Sequence, residues 1–80
     1  MNGLETTIKE ITEYVDQTKN SYLTCLVIEK NRWLAGASHC KIRELMREGK
    51  IPSIKVGVTF KAHYKDIIAY LEKSYTQGNL

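Results

Sequence analysis

The sequence predicts a single, mainly helical domain with one small β-hairpin. Apolar residues follow a helical spacing at both ends of the chain, two further helical patterns meet at a glycine-containing turn, and an alternating pattern follows Pro52. The chain has 80 residues, of which 42% are hydrophobic and 26% charged, a composition typical of one globular domain. We expect an N-terminal helical extension over residues 1–21, the main domain over 22–74 and a flexible tail over 75–80.

The first element is an amphipathic helix over roughly residues 4–18. Its apolar residues are spaced by four, three and four positions, which places them on one helix face, and Asn2 is a candidate N-cap. That face consists of Leu4, Ile8, Ile11 and Val15. The face either covers the core of the remaining chain or forms a self-association or partner surface.

The next segment, residues 22–35, permits two interpretations. Residues 22–28 are rich in β-formers, and they continue without a breaker into a helical pattern that stops at Gly36. Either a strand enters a short helix, or one helix begins after Thr24. We favour a helix that starts near Leu26.

A second helix is predicted after the turn at 36–38. Ser38 is a favourable N-cap, Ile42, Leu45 and Met46 share one side, and Gly49 suits the C′ position before Pro52. Helix, short glycine-containing turn and helix is the pattern of a helix-turn-helix.

The alternation after Pro52 predicts a two-stranded hairpin with Gly57 at its tip. Lys55, Thr59 and Lys61 would share one face, and Ile54, Val56 and Phe60 would point into the core. A final helix of about ten residues begins near Tyr64, with His63 exposed at its head, Asp66 in its first turn and a frayed tail from Ser74. A helix-turn-helix followed by a hairpin is the order of a winged helix.

The basic residues are concentrated in the same region. The net charge is +3, but residues 1–20 carry −2 and residues 41–61 carry +4. A confined basic cluster is typical of a nucleic-acid surface, although on charge alone a solvated face is the more common explanation.

Other classes of protein are disfavoured. The longest apolar run, Leu26-Val27-Ile28, is too short to span a bilayer, and no leader is recognisable, so we expect a cytoplasmic protein without a membrane partner. Cys25, Cys40, His39 and His63 lack the spacing of a metal site, and we expect reduced thiols, no metal and no cofactor. No phosphate-binding loop is present, and His39 and Cys40 should point about 100° apart on their helix, so we expect no enzyme.

Four segments that follow one another within residues 26–72 resemble the winged-helix family of the excisionases and MerR-like proteins. The most specific are Lys55-x-Gly57 and the run Arg47-Glu48-Gly49-Lys50-Ile51-Pro52. The resemblance implies a site-specific double-stranded DNA-binding protein of a phage or mobile element. Excisionases bind repeated sites, bend DNA and direct an integrase toward excision without bond chemistry. The chain departs from the family at the wing tip, where Val58-Thr59 replace the usual arginines, and at Trp33, where a small or polar residue is usual.

The candidate DNA-binding residues lie on the second helix of the helix-turn-helix and on the wing. Arg43 is the first choice for a base contact, Arg47 would bind a base or a phosphate, and Lys41 a phosphate. Glu44 would accept from cytosine or pair with Lys41 or Arg47. The helix set is Ser38, His39, Cys40, Lys41, Arg43, Glu44 and Arg47; the wing set is Lys50, Lys55, Thr59 and Lys61.

We therefore predict a sequence-specific DNA-binding protein, first an excisionase that acts with an integrase and self-associates on DNA or through its N-terminal helix. A transcription regulator with the same surface is the first alternative. A protein-interaction or inhibitor module without DNA binding is the second.

Overall fold

A computed structural model describes residues 3–34 and 36–77 of the chain, residues 75–77 by their backbone alone. The fold is mainly helical with one small three-stranded antiparallel sheet, in the strand order β1-β3-β2. The elements are α1 (Gly3–Thr18), β1 (Tyr22–Thr24), α2 (Cys25–Lys30), α3 (His39–Arg47), β2 (Ile54–Val56), β3 (Thr59–His63) and α4 (Tyr64–Gln77). The helical class and the hairpin are confirmed, and the sheet has one strand more than the two-stranded prediction.

Helix α1 follows the predicted boundaries closely, and it packs against the core. Ile11 is fully buried, and Leu4 and Val15 pack beside the buried cluster. The Trp33 indole N–H donates to Glu10 Oε1 at 3.3 Å, and the Trp33 ring meets Tyr14 edge-on at 5.4 Å. The apolar face of α1 is therefore used to cover the core. Its predicted cap, Asn2, lies outside the described residues.

The stretch after α1 is a strand that leads directly into a helix. Strand β1 pairs with β3 in the register Leu23 to Ala62, and α2 begins at once with Thr24 as its N-cap. The Thr24 hydroxyl accepts from the Val27 N–H at 3.3 Å. The helix thus starts one residue before the favoured Leu26, and the strand that precedes it is the other interpretation of this segment, because a long-range partner stabilises residues 22–24 as extended chain.

Helix α2 ends earlier than the sequence pattern indicates. Arg32 adopts φ +56, its N–H donates to the Glu29 carbonyl, and the Trp33 N–H donates to the Ile28 carbonyl. These two bonds form a Schellman ending with arginine, rather than glycine, at C′. The predicted helix up to residue 35 and the turn confined to 36–38 were wrong, since α2 already ends at Lys30 and α3 begins at His39.

Helix α3 was predicted correctly at both ends. Ser38 Oγ accepts from the Lys41 N–H at 3.3 Å, and Gly49 at C′ has φ +81. The N–H groups of Gly49 and Lys50 donate to the carbonyls of Met46 and Leu45, which completes another Schellman ending. Ile42, Leu45 and Met46 are buried, so the opposite side of α3 faces solvent.

The hairpin turns at Gly57 and Val58, with Val56 paired to Thr59. Gly57 has φ +64, as the first residue of a two-residue type II′ turn requires. A two-residue turn pairs each even-numbered residue of β2 with an odd-numbered residue of β3, and paired side chains share a face. Lys55 therefore lies beside Phe60, whereas Ile54 and Val56 lie beside Lys61 and Thr59.

This register overturns two expectations for the hairpin. Lys55 does not share a face with Thr59 and Lys61. The two-residue turn places the odd-numbered residues of β2 on the same face as the even-numbered residues of β3. Ile54 and Val56 are not core residues: they are 49% and 54% exposed on the edge strand β2. Phe60 is half-buried and packs against the core, as expected.

Helix α4 is longer than predicted, and His63, which immediately precedes it, is more buried than predicted. It continues to Gln77, and Ser74 is buried, so the tail expected from Ser74 is helical as far as the structure describes it. Residues 78–80 lie outside the described residues. His63 ends β3 half-buried, its ring 5.2 Å from that of Tyr22, and its Nδ1 accepts from the Lys65 N–H. The expectation of an exposed His63 was therefore wrong.

One hydrophobic core joins all the helices and the strands β1 and β3. Its fully buried members include Ile11, Leu23, Ile28, Ile42, Ala62 and Ile67. Within residues 3–34 and 36–77, no helix is long and apolar enough to cross a membrane.

Candidate nucleic-acid interface

The solvent side of α3 carries four of the predicted residues in one shallow groove. Cys40, Arg43, Glu44 and Arg47 line a space of about 380 Å³. Their spacing of three and four positions places them on adjacent turns of the same helix face. Arg47 Nη2 lies 4.0 Å from Glu44 Oε1, so Glu44 pairs with Arg47, one of its two expected partners. Both side chains are well exposed, and such a pair contributes little stability.

The N-terminal end of α3 is held by a carboxylate from α2. Glu29 Oε2 accepts from the His39 backbone N–H at 3.0 Å, and Glu29 Oε1 lies 3.3 Å from His39 Nδ1. The backbone hydrogen bond, helped by the imidazole, lowers the pKa of Glu29 below its ordinary value. This contact holds the first turn of α3 against α2. Lys41 is exposed on another side of α3, two positions and about 200° from Arg43.

His39 and Cys40 are closer together than the sequence indicates. Cys40 Sγ lies 3.6 Å from His39 Nε2. The expectation that neighbouring positions keep these two groups apart was therefore wrong, because the imidazole extends far enough from His39 to bring its Nε2 near the short Cys40 side chain.

An aromatic contact joins α3 to the hairpin. The Arg43 guanidinium carbon lies 5.7 Å from the centroid of the Phe60 ring, and Lys55 Nζ lies 5.8 Å from the same centroid. Both distances fit cation–π contacts. Arg43, Phe60 and Lys55 form what we call the basic seam, in which two cations contact one aromatic ring between α3 and the hairpin.

A second groove of about 360 Å³ lies beside the basic seam. Its lining combines Arg43 and His39 of α3 with exposed apolar side chains, notably Leu26 at 63% and Val58 at 81% exposure. Thr24, Cys25, Thr59 and Phe60 complete it. Arg43 lines both grooves, which places it at the centre of the candidate surface.

The remaining predicted residues are spread around this centre. Thr59 is exposed and lines the second groove, whereas Lys61 is half-buried on the sheet face opposite Lys55. Lys50 is exposed, and its Nζ lies 3.6 Å from Glu48 Oε1. The structure thus brings together His39, Cys40, Arg43, Glu44, Arg47, Lys55 and Thr59, but not Lys41 or Lys61.

Sequence reasoning missed Glu29, Leu26 and the surface role of Phe60. No local signal marks Glu29, because its partner is ten residues away across the turn. Leu26 lies in an apolar run that also suits a buried segment. The hairpin register would have placed Phe60 beside Lys55, had the two-residue turn been assumed.

No protein-family model matches the chain, and no curated protein or solved structure is significantly similar to it.

Proposed function

We propose that this chain is a winged helix-turn-helix protein that binds double-stranded DNA sequence-specifically, and that it acts as an excisionase, directing an integrase toward excision. The observation that carries the proposal is the basic seam. It joins the exposed side of α3 to the hairpin through Arg43, Phe60 and Lys55, and so supplies one continuous cationic surface. The resemblance of residues 26–72 to the excisionase and MerR-like family supports the same function.

In this proposal α3 enters the major groove. An α-helix is about 10–12 Å across and fits a major groove about 12 Å wide, and nine residues extend about 14 Å along it. Arg43 projects from its exposed side and reads guanine through two hydrogen bonds. The Phe60 ring limits the rotamers of Arg43, so less conformational entropy is lost on binding. Arg47 and the Ser38 end of α3 bind phosphates.

The hairpin lies against the adjacent DNA backbone. Lys55 is on the same side of the sheet as Arg43 and contacts a phosphate. The tip offers Val58 rather than an arginine, so its contact with sugar or a thymine methyl is apolar. A surface of this size in one chain gives modest affinity, and adjacent copies on repeated sites raise it.

A second function is favoured by one specific observation. Ile54, Val56 and Val58 are exposed apolar side chains of the hairpin, a pattern also typical of a protein-binding surface. A winged-helix protein-interaction module would use this surface and would not depend on Arg43.

The test is selection from random duplexes. Wild type, Arg43→Ala, Arg43→Lys and Lys9→Ala are mixed with random-sequence DNA, and the bound fraction is recovered and sequenced. We expect wild type and Lys9→Ala, which loses the same charge from α1, to enrich one motif. Arg43→Ala should bind this motif about 5–150-fold more weakly, corresponding to about 1–3 kcal/mol. Arg43→Lys should keep binding to random DNA but lose the motif's guanine preference.

The absence of an enriched motif at low salt would reject DNA recognition and favour the protein-interaction module. If a motif is found, excision of an element carrying repeats of it, by its cognate integrase, separates an excisionase from a transcription regulator. An excisionase increases the yield of excised circles, whereas a regulator leaves this yield unchanged.

A further inference from the structure

A carboxylate, an imidazole and a thiol lie next to one another at the junction between α2 and α3. Glu29 Oε1 lies 3.3 Å from His39 Nδ1, and His39 Nε2 lies 3.6 Å from Cys40 Sγ. Glu29 also accepts the His39 backbone N–H at 3.0 Å, which fixes the imidazole and the carboxylate relative to each other. Acid, imidazole and thiol thus stand in the order found where a cysteine is used as a nucleophile.

The hydrogen-bonding chemistry sets the direction of proton movement. An ionised carboxylate only accepts hydrogen bonds, so the imidazole proton resides on Nδ1, facing Glu29. The lone pair of Nε2 then faces the thiol and can accept its proton. Cys40 is the second residue of α3, and its thiol is exposed to solvent and so accessible to a reagent.

The surroundings of Cys40 select an anionic reagent. Its groove of about 380 Å³ is lined by two guanidinium groups, Arg43 and Arg47, and by one carboxylate, Glu44, which is paired with Arg47. A small molecule with carboxylates would find cations beside the exposed sulfur. Cys25 has the opposite setting: it is half-buried, its thiol lies 3.7 Å from Met46 Sδ, and burial raises the pKa of Cys25.

We propose that Cys40 is a modification site for anionic low-molecular-weight disulfides, with His39 as proton acceptor and Glu29 as the residue that positions His39. The proton moves from Cys40 Sγ to His39 Nε2, and the thiolate attacks one sulfur of the reagent. A new S–S bond forms, the S–S bond of the reagent breaks, and the departing thiolate takes the proton from Nε2. The products are a mixed disulfide on Cys40 and one free thiol, with no other oxidant.

The first experiment measures modification by oxidised glutathione at neutral pH. The full chain is acid-quenched at intervals, digested with trypsin and analysed by mass spectrometry, since the thiols fall in separate peptides, residues 20–30 and 33–41. The synthetic peptide 33–41 is a matched reference, because it contains His39 and Cys40 but neither Glu29 nor a stable helix. We expect Cys40 in the protein to react about tenfold faster than in this peptide, and faster than Cys25.

Variants identify the side chains that take part in the proposed proton transfer. His39→Ala should slow the reaction of Cys40 about tenfold and leave Cys25 unchanged, while Glu29→Gln should have a smaller effect in the same direction. Arg47→Ala should slow oxidised glutathione but not the neutral reagent bis(2-hydroxyethyl) disulfide. These variants change exposed or half-buried side chains, and circular dichroism verifies that each is folded.

Two results would overturn the proposal: a Cys40 rate in the protein no higher than in the peptide, or an equal rate in His39→Ala. The readout is a covalent mass and involves no DNA. Failure of the Cys40 proposal is therefore distinguishable from failure of the proposed function.

Discussion

Arg43 and Cys40 occupy successive turns of α3 and line the same groove. If both proposals hold, a glutathionyl group on Cys40 places carboxylates beside the arginine that reads the base. Repulsion of DNA phosphates and occupation of the groove would then both lower DNA affinity, and a reducing agent would restore it. One exposed helix face would combine recognition with its own regulation.

Glu29 gives a prediction about acid stability. Its pKa is lowered in the folded protein, chiefly by the His39 backbone N–H, so its contribution is fully present above the ordinary glutamate pKa of about 4.3. The contribution is lost as the pH falls through the lowered folded-state value. Glu29→Gln keeps an acceptor for the N–H but cannot titrate. We therefore expect the thermal stability of wild type to fall more steeply than that of Glu29→Gln between about pH 5 and pH 3.

Calorimetric scans across this pH range measure the difference, and other acidic groups contribute equally to both proteins. Glu29→Ala is the matched comparison, because it removes the acceptor and should be less stable than Glu29→Gln at every pH. Parallel pH profiles for wild type and Glu29→Gln would contradict the assignment of this pH dependence to Glu29.

At the scale of elements, helix ends offer the clearest opportunity for stabilisation. Helix α1 ends at Thr18, and the next residue, Lys19, has φ +58. The Lys19 N–H donates to the Val15 carbonyl at 2.8 Å. A left-handed residue at this position is favourable as glycine and strained as lysine. Lys19→Gly should therefore stabilise the protein by about 0.5–1 kcal/mol, offset in part by the greater freedom of glycine in the unfolded chain.

For a domain of this size, that change corresponds to a rise in Tm of about 2–8 °C, measured by circular dichroism. Lys19→Ala is the control: it also removes the exposed contact with Asp16 but retains a Cβ at positive φ. It should give no rise. A lower Tm for Lys19→Gly than for Lys19→Ala would show that φ strain is not the controlling factor.

Elements defined by local chemistry could be predicted from the sequence. The boundaries of α1 and α3, the Ser38 and Gly49 caps and the tip at Gly57 depend on side chains within a few positions of one another. The end of α2 at Arg32 could not be predicted, since arginine is an unusual C′ residue and the helical pattern continues beyond it.

Features that depend on distant partners were not predictable. Strand β1 is extended because it pairs with β3 some forty residues later, and nothing within residues 22–24 specifies this partner. The apolar residues Ile54 and Val56 match a core strand in sequence, yet both side chains are exposed. Of the candidate site, the exposed residues of α3 were identified, but the contacts of Glu29 and Phe60 depend on how α2 and the hairpin meet α3.

At the scale of the whole molecule, the distribution of charge predicts how the proposed DNA binding would respond to salt. Residues 1–20 carry a net charge of −2 and residues 41–61 carry +4, so attraction to phosphate is concentrated in one segment of the sequence. If about four cations contact phosphates, the logarithm of the binding constant should fall with a slope of about −3.6 against the logarithm of salt concentration. Affinity for random duplex DNA should then fall about 100-fold between 50 and 200 mM salt.

Fluorescence anisotropy with a labelled duplex measures this slope. Lys55→Gln should reduce its magnitude by about 0.9, whereas Lys9→Gln on α1 should leave it unchanged. A slope near zero for wild type would exclude a DNA interface made by this surface.

The pairing of β1 with β3 has a consequence for how the chain acquires its surface. Helices α2 and α3 lie inside a loop of about forty residues that this pairing closes, and closing such a loop costs about 3 kcal/mol of chain entropy beyond a constant term. Such a contact forms late compared with local helices. During synthesis, α3 is complete well before β3 emerges to join the hairpin to β1. We therefore expect the surface that joins α3 to the hairpin to form later than α3 itself, once β3 has been made and has paired with its neighbours.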